Sequence, residues 1–304
     1  MSWHTLKSLR MLGVEPGGHP IDHVRIFSRH RRADARLPAG AVGLSRHRLD
    51  TIMRAKAIAE GAGLEIMTVR HIDEIDADSR FLATGKHDLR GHARPKHVTS
   101  DPTLGLRVKI GPHPRLATLL GHSIELHLFD RGYVGLSLQE DGRANLCLAV
   151  RKSRLSEADG KPAGLLRQLG DLMPALAERL AFMEDAPDAD AIASVPYGWR
   201  ALVGEPGLFR LGDQAAVIPS LAGEGNGIAI ASGIAAADAW LGGGSAAAPQ
   251  YQADFARRTR RPVALAKWLW ERGETLWSAD VATRALSIAP FAARAFARAT
   301  RIGD

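Results

Sequence analysis

The stretch LFRLGDQAAVIPSLAGEGNGIAIASG, residues 208–233, concentrates residue types that handle a polyhydroxy, anionic ligand. A hydrophobic run delivers Gly212 and Asp213 at the carboxyl end of an expected strand. A carboxylate placed there accepts two hydrogen bonds from a sugar-type diol, and the glycine before it lets a bulky ligand approach the backbone. Pro219 stiffens the connecting loop. Gly223, Gly225 and Gly227 around Asn226 leave the first amides of the following helix uncovered, so they can donate to a ligand carrying developing negative charge. The small residues Gly227, Ala231, Ser232 and Ala235 let that helix pack closely.

Other chemistry is less well supported. His87, His92 and His97 are five residues apart, which neither places two rings on one helical face nor fits common zinc spacings, so no metal site is expected. No G-x-S-x-G occurs, which disfavours a hydrolase. No acid or base residue stands out as catalytic. Tyr133, Tyr197 and Trp199 are candidates for lining a substrate pocket, with core packing the alternative.

The elements that must position these groups read as a mixed α/β chain. A helix spans 3–12 and closes at Gly13, a hairpin covers 22–37, and Ser45 caps a helix over 45–59. Strands follow at 64–69 and 80–84, the second running into Gly85. Segments 123–129, 133–139 and 144–150 alternate as an antiparallel meander, and helical spacing returns at 165–183. Segment 193–213 reads as two brief strands around a Gly/Pro-rich turn. A helix spans 226–241, the GGGS at 242–245 reads as a flexible linker, and the tail at 250–301 is helical. That tail is Arg-rich on one side and Leu/Trp/Phe-rich on the other, which fits a docking helix or a contact with a membrane surface.

Composition bounds the answer. At 304 residues, 45% hydrophobic and 24% charged, the chain is globular. One cysteine, Cys147, excludes an internal disulfide framework. The longest apolar run is ten residues, too short to span a bilayer, and the first residues hold no signal peptide, so a cytoplasmic address is expected. The net charge of +7 favours anionic partners, but the basic runs are dispersed without aromatic interleaving, so no nucleic-acid partner is expected.

The order strand, Gly-Asp, Pro219 six residues after the Asp, then Gly225-Asn226-Gly227 opening an Ala/Gly helix resembles FAD-dependent oxidoreductases of the aromatic-hydroxylase and geranylgeranyl-reductase group. Arg46-x-x-Leu49-Asp50 is similar to that group's second segment, Ala83-Thr84-Gly85 to its third, and GYVGLSLQEDGRANLCL to its substrate-domain meander. The resemblance implies that Asp213 binds the FAD ribitol and that Gly225, Asn226 and Gly227 face the isoalloxazine pyrimidine edge, with Gly212, Pro219 and Gly223 also counted as cofactor-binding. It places Arg46 near the pyrophosphate or flavin and Ala83, Thr84 and Gly85 by the adenosine half, with NAD(P)H as a donor and a small-molecule substrate. The implied fold is a split Rossmann-like FAD-binding domain with an inserted antiparallel β-sheet substrate domain. Its expected bounds are 1–100 and 201–245 for the FAD-binding halves, 101–200 for the substrate domain, and 246–304 for a C-terminal helical region. The family's opening βαβ unit with its Gly-x-Gly-x-x-Gly turn has no counterpart in these residues, so an N-terminally truncated reading frame is expected. The function implied is flavin redox chemistry, a monooxygenase or a double-bond reductase acting on an apolar or aromatic molecule. The alternative is a non-catalytic binding module or decayed fragment.

Overall fold

The computed structural model describes residues 1–95, 99–184 and 189–302. In chain order its helices and strands are α1 (Trp3–Met11), β1 (His19–Ser28), β2 (Arg31–Gly43), α2 (Arg46–Ala59), β3 (Arg80–Leu82), β4 (Thr103–Ile110), α3 (Pro114–Leu120), β5 (Ser123–Phe129), β6 (Gly132–Leu138) and β7 (Ala144–Arg151). They continue with α4 (Lys152–Ser156), α5 (Pro162–Leu172), α6 (Pro174–Leu180), β8 (Ala189–Ile192), β9 (Leu208–Arg210), α7 (Gly225–Gly243), α8 (Ala248–Arg272), α9 (Leu276–Ile288) and α10 (Pro290–Ala299). No helix among the described residues is long and apolar enough to cross a membrane.

A seven-stranded sheet in the order β2-β1-β5-β6-β7-β4-β8 forms the larger half. It is antiparallel except where β1 lies parallel to β5, with Phe27 opposite His127. The alternation read from the sequence sorts its side chains. Leu106, Val134, Leu136, Leu146 and Leu148 point to one face, where α3 to α6 cover them with Leu116, Leu155, Leu166 and Leu176. Each such leucine contributes roughly 1.5–3 kcal/mol by leaving water. The opposite face presents Tyr133 and Ala149, packed with Leu126, Leu128 and Trp270, toward the smaller half.

That smaller half is built on β3 and β9, a two-stranded parallel pair, with α7 and the start of α8 packed around β9 and α1 against α7. Arg48 N donates to Ser45 Oγ at 3.1 Å, a cap that starts α2 where the sequence placed it. α9 and α10 lie on β1 and β2.

Several local expectations are corrected. The hairpin at 19–43 joins the large sheet through β5 rather than lying with the 1–100 portion, because β1 finds its parallel partner about a hundred residues away. Residues 64–69 form no strand: they have no ladder partner, and Ile66 stands 89% exposed. The helix expected over 165–183 is two helices, broken where Pro174 removes an N–H donor. Within 193–213 β9 is the one strand, and Arg200 meets Ala216 in an isolated bridge. The GGGS segment is no flexible linker, since Gly244–Ala247 forms a 3-10 turn whose Ser245 carbonyl accepts from Gly207 N at 2.9 Å.

One charged cluster sits inside the helical cover of the sheet. Glu125 accepts from Arg179 Nε and Nη2, both at 3.0 Å, and lies 3.2 Å from His127 Nε2. Glu125 and His127 are fully buried, and His127 stacks on Phe27 at 4.5 Å. Burial alone would raise the Glu125 carboxyl, but the His127 hydrogen bond and the Arg179 fork outweigh it and bring it from 4.5 to about 2. Burial lowers His127 below 6.5 despite Glu125, which keeps the ring neutral at pH 7. Both groups bind protons more readily unfolded than folded, so both destabilise the fold as pH falls. Stability measured by urea denaturation should decline below pH 6.5 and steepen below 4.5, where Glu125 accounts for about 3 kcal/mol. Glu125→Gln, leaving the buried Arg179 with only the exposed Glu178 as an ionic partner, should cost about 1.5–3 kcal/mol at pH 7.

Candidate functional site

β9 ends at Arg210, and Gly212 then takes φ +55°, a left-handed turn that an L side chain resists. The 3-10 turn Gly212–Gln214 packs against α7: Gly212 N donates to Ser232 Oγ at 2.8 Å, and a Cβ on Gly212 would meet the Ala229 Cβ at 3.5 Å. The glycine and the small helix residues are thus required by one close approach. It brings Asp213 beside the first turns of α7. Asp213 Oδ2 accepts from Lys86 Nζ at 3.0 Å, and its carbonyl accepts from Arg94 Nη1 at 3.1 Å.

α7 opens at the turn the sequence singled out. Pro219, buried at φ −52°, leads into the 3-10 turn Ser220–Ala222, and Gly223 closes it in the left-handed region at φ +63°. Cβ atoms on Gly223 and Gly225 would meet nothing within 4 Å. The backbone N–H groups of Gly225, Asn226 and Gly227 find no acceptor among the described residues, as expected for the first turn of a helix without a side-chain cap. Gly227 serves a second purpose, since its Cβ would lie 2.5 Å from Glu224 Oε1 and 3.1 Å from Thr5 Oγ1. It admits the close packing of α1 and the glutamate.

Glu224 itself is turned inward. Only 1% exposed, it is ion-paired with Arg301 and accepts from Ile302 N at 3.3 Å. Arg301 also donates to the Ala222 carbonyl at 2.9 Å and lies 5.1 Å over the Trp3 ring. The end of the chain therefore clamps the glycine turn from behind.

Arg46 and Asn226, 180 positions apart, meet directly: Arg46 Nη1 donates to Asn226 Oδ1 at 3.1 Å, while Nη2 holds Asp50 at 3.1 Å. They border a cleft of about 360 Å³ between α2 and α7 that is walled by Leu49, Met53, Ile230 and Ile234. Ala83, Thr84 and Gly85 follow β3, with Ala83 and Thr84 exposed and Gly85 at φ +64°. Gln214, fully buried, ties this loop to the Gly-Asp turn by donating to the carbonyls of Gly85 and His87 and to Asp88 Oδ1, each at 3.0 Å.

The aromatic candidates divide. Tyr133 and Tyr197 converge on Ser220 Oγ, each at 2.6 Å, and both stand edge-on to Trp270, at 5.6 and 5.8 Å. Burial pushes both phenols above their ordinary range, so both keep their protons near neutral pH. Three hydroxyls carry three hydrogens but make two contacts, which leaves one O–H free to donate to a bound molecule. Trp199 joins neither ring and lies under the Arg94 guanidinium at 5.7 Å. Cys147 faces this side of the sheet across from Gly135, and burial raises its thiol above its usual range. Of the three histidines, His97 lies outside the described residues, and among the described residues no group of three ligating side chains could hold a metal ion.

Gln214, Ser220, Arg94, Glu224 and Arg301 were not marked in the sequence. Glu224, inside GEGNG, carried a readable signal, a carboxylate between two glycines. The others take partners far along the chain.

No family model and no curated protein sequence matches this chain. Its fold does match solved structures. Pseudomonas aeruginosa PqsL in complex with 2-aminobenzoylacetate superposes with a TM-score of 0.69 at 15% identity, over 91% of this chain and 86% of that one. Klebsiella pneumoniae HpxO complexed with FAD and uric acid gives 0.70 at 15%, over 99% and 86%. The flavin-dependent brominase Bmp2 gives 0.70 at 14%, over 97% and 81%.

Arg301→Ala should leave the Glu224 charge buried and alone, costing about 3–5 kcal/mol in chemical denaturation. The double change E224L/R301L should recover most of that loss while raising amide hydrogen exchange at 222–228, because nothing then holds the Ala222 carbonyl. Taken with the seven-stranded sheet, these superpositions show that the chain shares the fold of these flavin-binding enzymes.

Proposed function

We propose that the chain is an FAD-dependent oxidoreductase of the monooxygenase type acting on an apolar or aromatic small molecule. The observation that carries this reading is the packing of the Gly212–Asp213 turn against α7, just beyond three unpaired N–H groups at the start of that helix. The residues fit the cofactor: the surface at Gly223 and Gly225 is open to a flat ring, and Asp213 offers a carboxylate to a diol. Asp213 would bind the ribitol, with Lys86 holding the carboxylate in place. The N–H groups of Gly225, Asn226 and Gly227 would face the pyrimidine edge, and Arg46, fixed by Asn226, would lie by the pyrophosphate. Ala83, Thr84 and Gly85 would flank the adenosine half.

FAD, reduced by NAD(P)H or another donor, would supply the redox chemistry, activating oxygen toward the substrate. The chain's own part is to orient and to exclude water. The Trp270, Tyr133 and Tyr197 rings form an apolar wall on the sheet face, and the free hydroxyl of the Ser220 group gives one polar handle for an oxygen or nitrogen substituent. Reduction of a carbon double bond is the other chemistry such a site supports.

The phosphate half is less complete. No Gly-x-Gly-x-x-Gly occurs in the sequence, β3 has β9 as its one partner among the described residues, and Phe81 on it is 43% exposed. We read this half as a split Rossmann-like domain whose β3 edge and α2/α7 cleft suit a further strand–turn–helix unit. The same incompleteness motivates the rival reading, a binding module without cofactor. Titration with FAD distinguishes them. Flavin absorbance and fluorescence quenching should report binding, either by this chain or after a strand–turn–helix phosphate-binding segment is added. Asp213→Ala should weaken that binding about ten- to a hundredfold, and Glu60→Gln should not change it. If both forms stay colourless with added FAD, the redox assignment falls.

A further inference from the structure

α9 and α10 close the chain over the β1–β2 edge of the large sheet. Their inner faces dock on the sheet: Ala279 and Thr283 of α9 and Ala293 and Ala297 of α10 are buried, and both helices pack on β2. Their outer faces, pointing away from the same strand, are apolar. Trp277 is 77% exposed, Ile288 75% and Phe291 71%, and Val281 completes the stripe at 277, 281 and 288. Three large side chains of this kind on adjoining helices exceed the scatter of single exposed hydrophobics.

Charge decides what would cover them. Arg284 falls inside the α9 stripe, and Arg294 and Arg298 follow Phe291 at helical spacing on α10, all three exposed. None makes a side-chain hydrogen bond, ion pair or ring contact among the described residues. No exposed carboxylate lies on either helix, since the one acid there, Asp280, is half-buried. Residues 250–304 hold ten Lys and Arg against five Asp and Glu, so this stretch carries five of the chain's seven surplus positive charges. A second copy of the chain is a poor occupant: a twofold contact would set these arginines against one another with no carboxylate between them. Aromatic and branched apolar side chains interleaved with unpaired arginines, on two helices lying flat against a sheet, match the chemistry of an anionic bilayer surface. There the rings enter the acyl boundary and the guanidinium groups meet acidic headgroups.

We propose that the outer face of α9 and α10 is a peripheral membrane-docking surface selective for anionic lipid. It lies over β1 and β2 at one edge of the large sheet, and it stands independently of the flavin assignment. The full chain should co-sediment with vesicles of phosphatidylcholine containing about 30% phosphatidylglycerol, and binding should weaken with salt. Binding to pure phosphatidylcholine should be at least about tenfold weaker. The triple variant W277S/I288S/F291S should lose binding to both vesicles. R284S/R294S/R298S should lose only the preference for anionic lipid. Both variants change exposed side chains, so their thermal midpoints should match the parent. Equal binding to neutral and anionic vesicles, binding untouched by either variant, or no vesicle binding at all would each overturn the proposal. So would a dimer in size-exclusion chromatography that the triple variant abolishes.

Discussion

The pairing of Glu224 with Arg301 is the constraint on which the candidate site depends. A carboxylate beside the start of a nineteen-residue helix would ordinarily turn back onto the free N–H groups of the first turn, where the dipole favours it. Here it is drawn the other way by a guanidinium and a backbone N–H from the end of the chain. The helix start is therefore left without an internal cap. The cost of keeping two ions inside is offset by placing Arg301 where it also holds the Ala222 carbonyl and covers Trp3, so one side chain fixes the glycine turn, α1 and the end of α10 together. Gly227 belongs to the same arrangement, since any larger residue would displace the carboxylate.

The large sheet divides its work by face. One face is closed with leucines from α3 to α6 and encloses a charged group, Glu125 with Arg179 and His127, to which Arg25 and Glu178 add partners from its rim. His127 donates through Nε2 to Glu125, which leaves Nδ1 as a buried acceptor without a partner. That orphan is tolerable because an unfilled buried acceptor costs less than an unpaired donor. The other face is kept for aromatic rings and hydroxyls, and the segment that follows Pro219 supplies Ser220 to join two of them. The rigid layer thus carries the aromatic wall, and the turn after Pro219 supplies the hydroxyl that joins its two phenols.

What could be read from the sequence follows physical reach. The Gly212–Asp213 turn, the α7 start, the Ser45 cap of α2 and the meander β5 to β7 all depend on residues within a few positions of one another, and they stand where the residue types put them. The family resemblance set Arg46 and Asn226 by the same ligand, but their direct pairing was not legible, because nothing local links positions 180 apart. The hairpin was recognised as strands but not as part of the large sheet, since a strand's alternation names its faces and not its neighbour. Gln214, Arg94 and Arg301 were invisible for the same reason: a polar side chain between apolar ones shows no period, and its meaning lies in carbonyls brought from elsewhere. Residues 64–69 show the converse, an alternating segment to which the fold offers no ladder.

The apolar groups left in water fall into two sets that differ in kind. Around β3 and α7 the exposed Phe81, Trp240 and Leu241 stand beside an open strand edge and a cleft walled by alanine, glycine and isoleucine. The Arg46 and Asp50 charges bordering that cleft are already paired with each other. Such a surface offers backbone hydrogen bonds and close small-residue packing, which only polypeptide can answer. On α9 and α10 the apolar side chains stand on helices, whose backbone groups are bonded within the helix, and among the described residues the cations between the rings have no partners. A protein covering them would have to supply a carboxylate for each at a fixed spacing. A fluid layer of acidic headgroups meets that requirement at any spacing, so the two faces call for different occupants although both are hydrophobic.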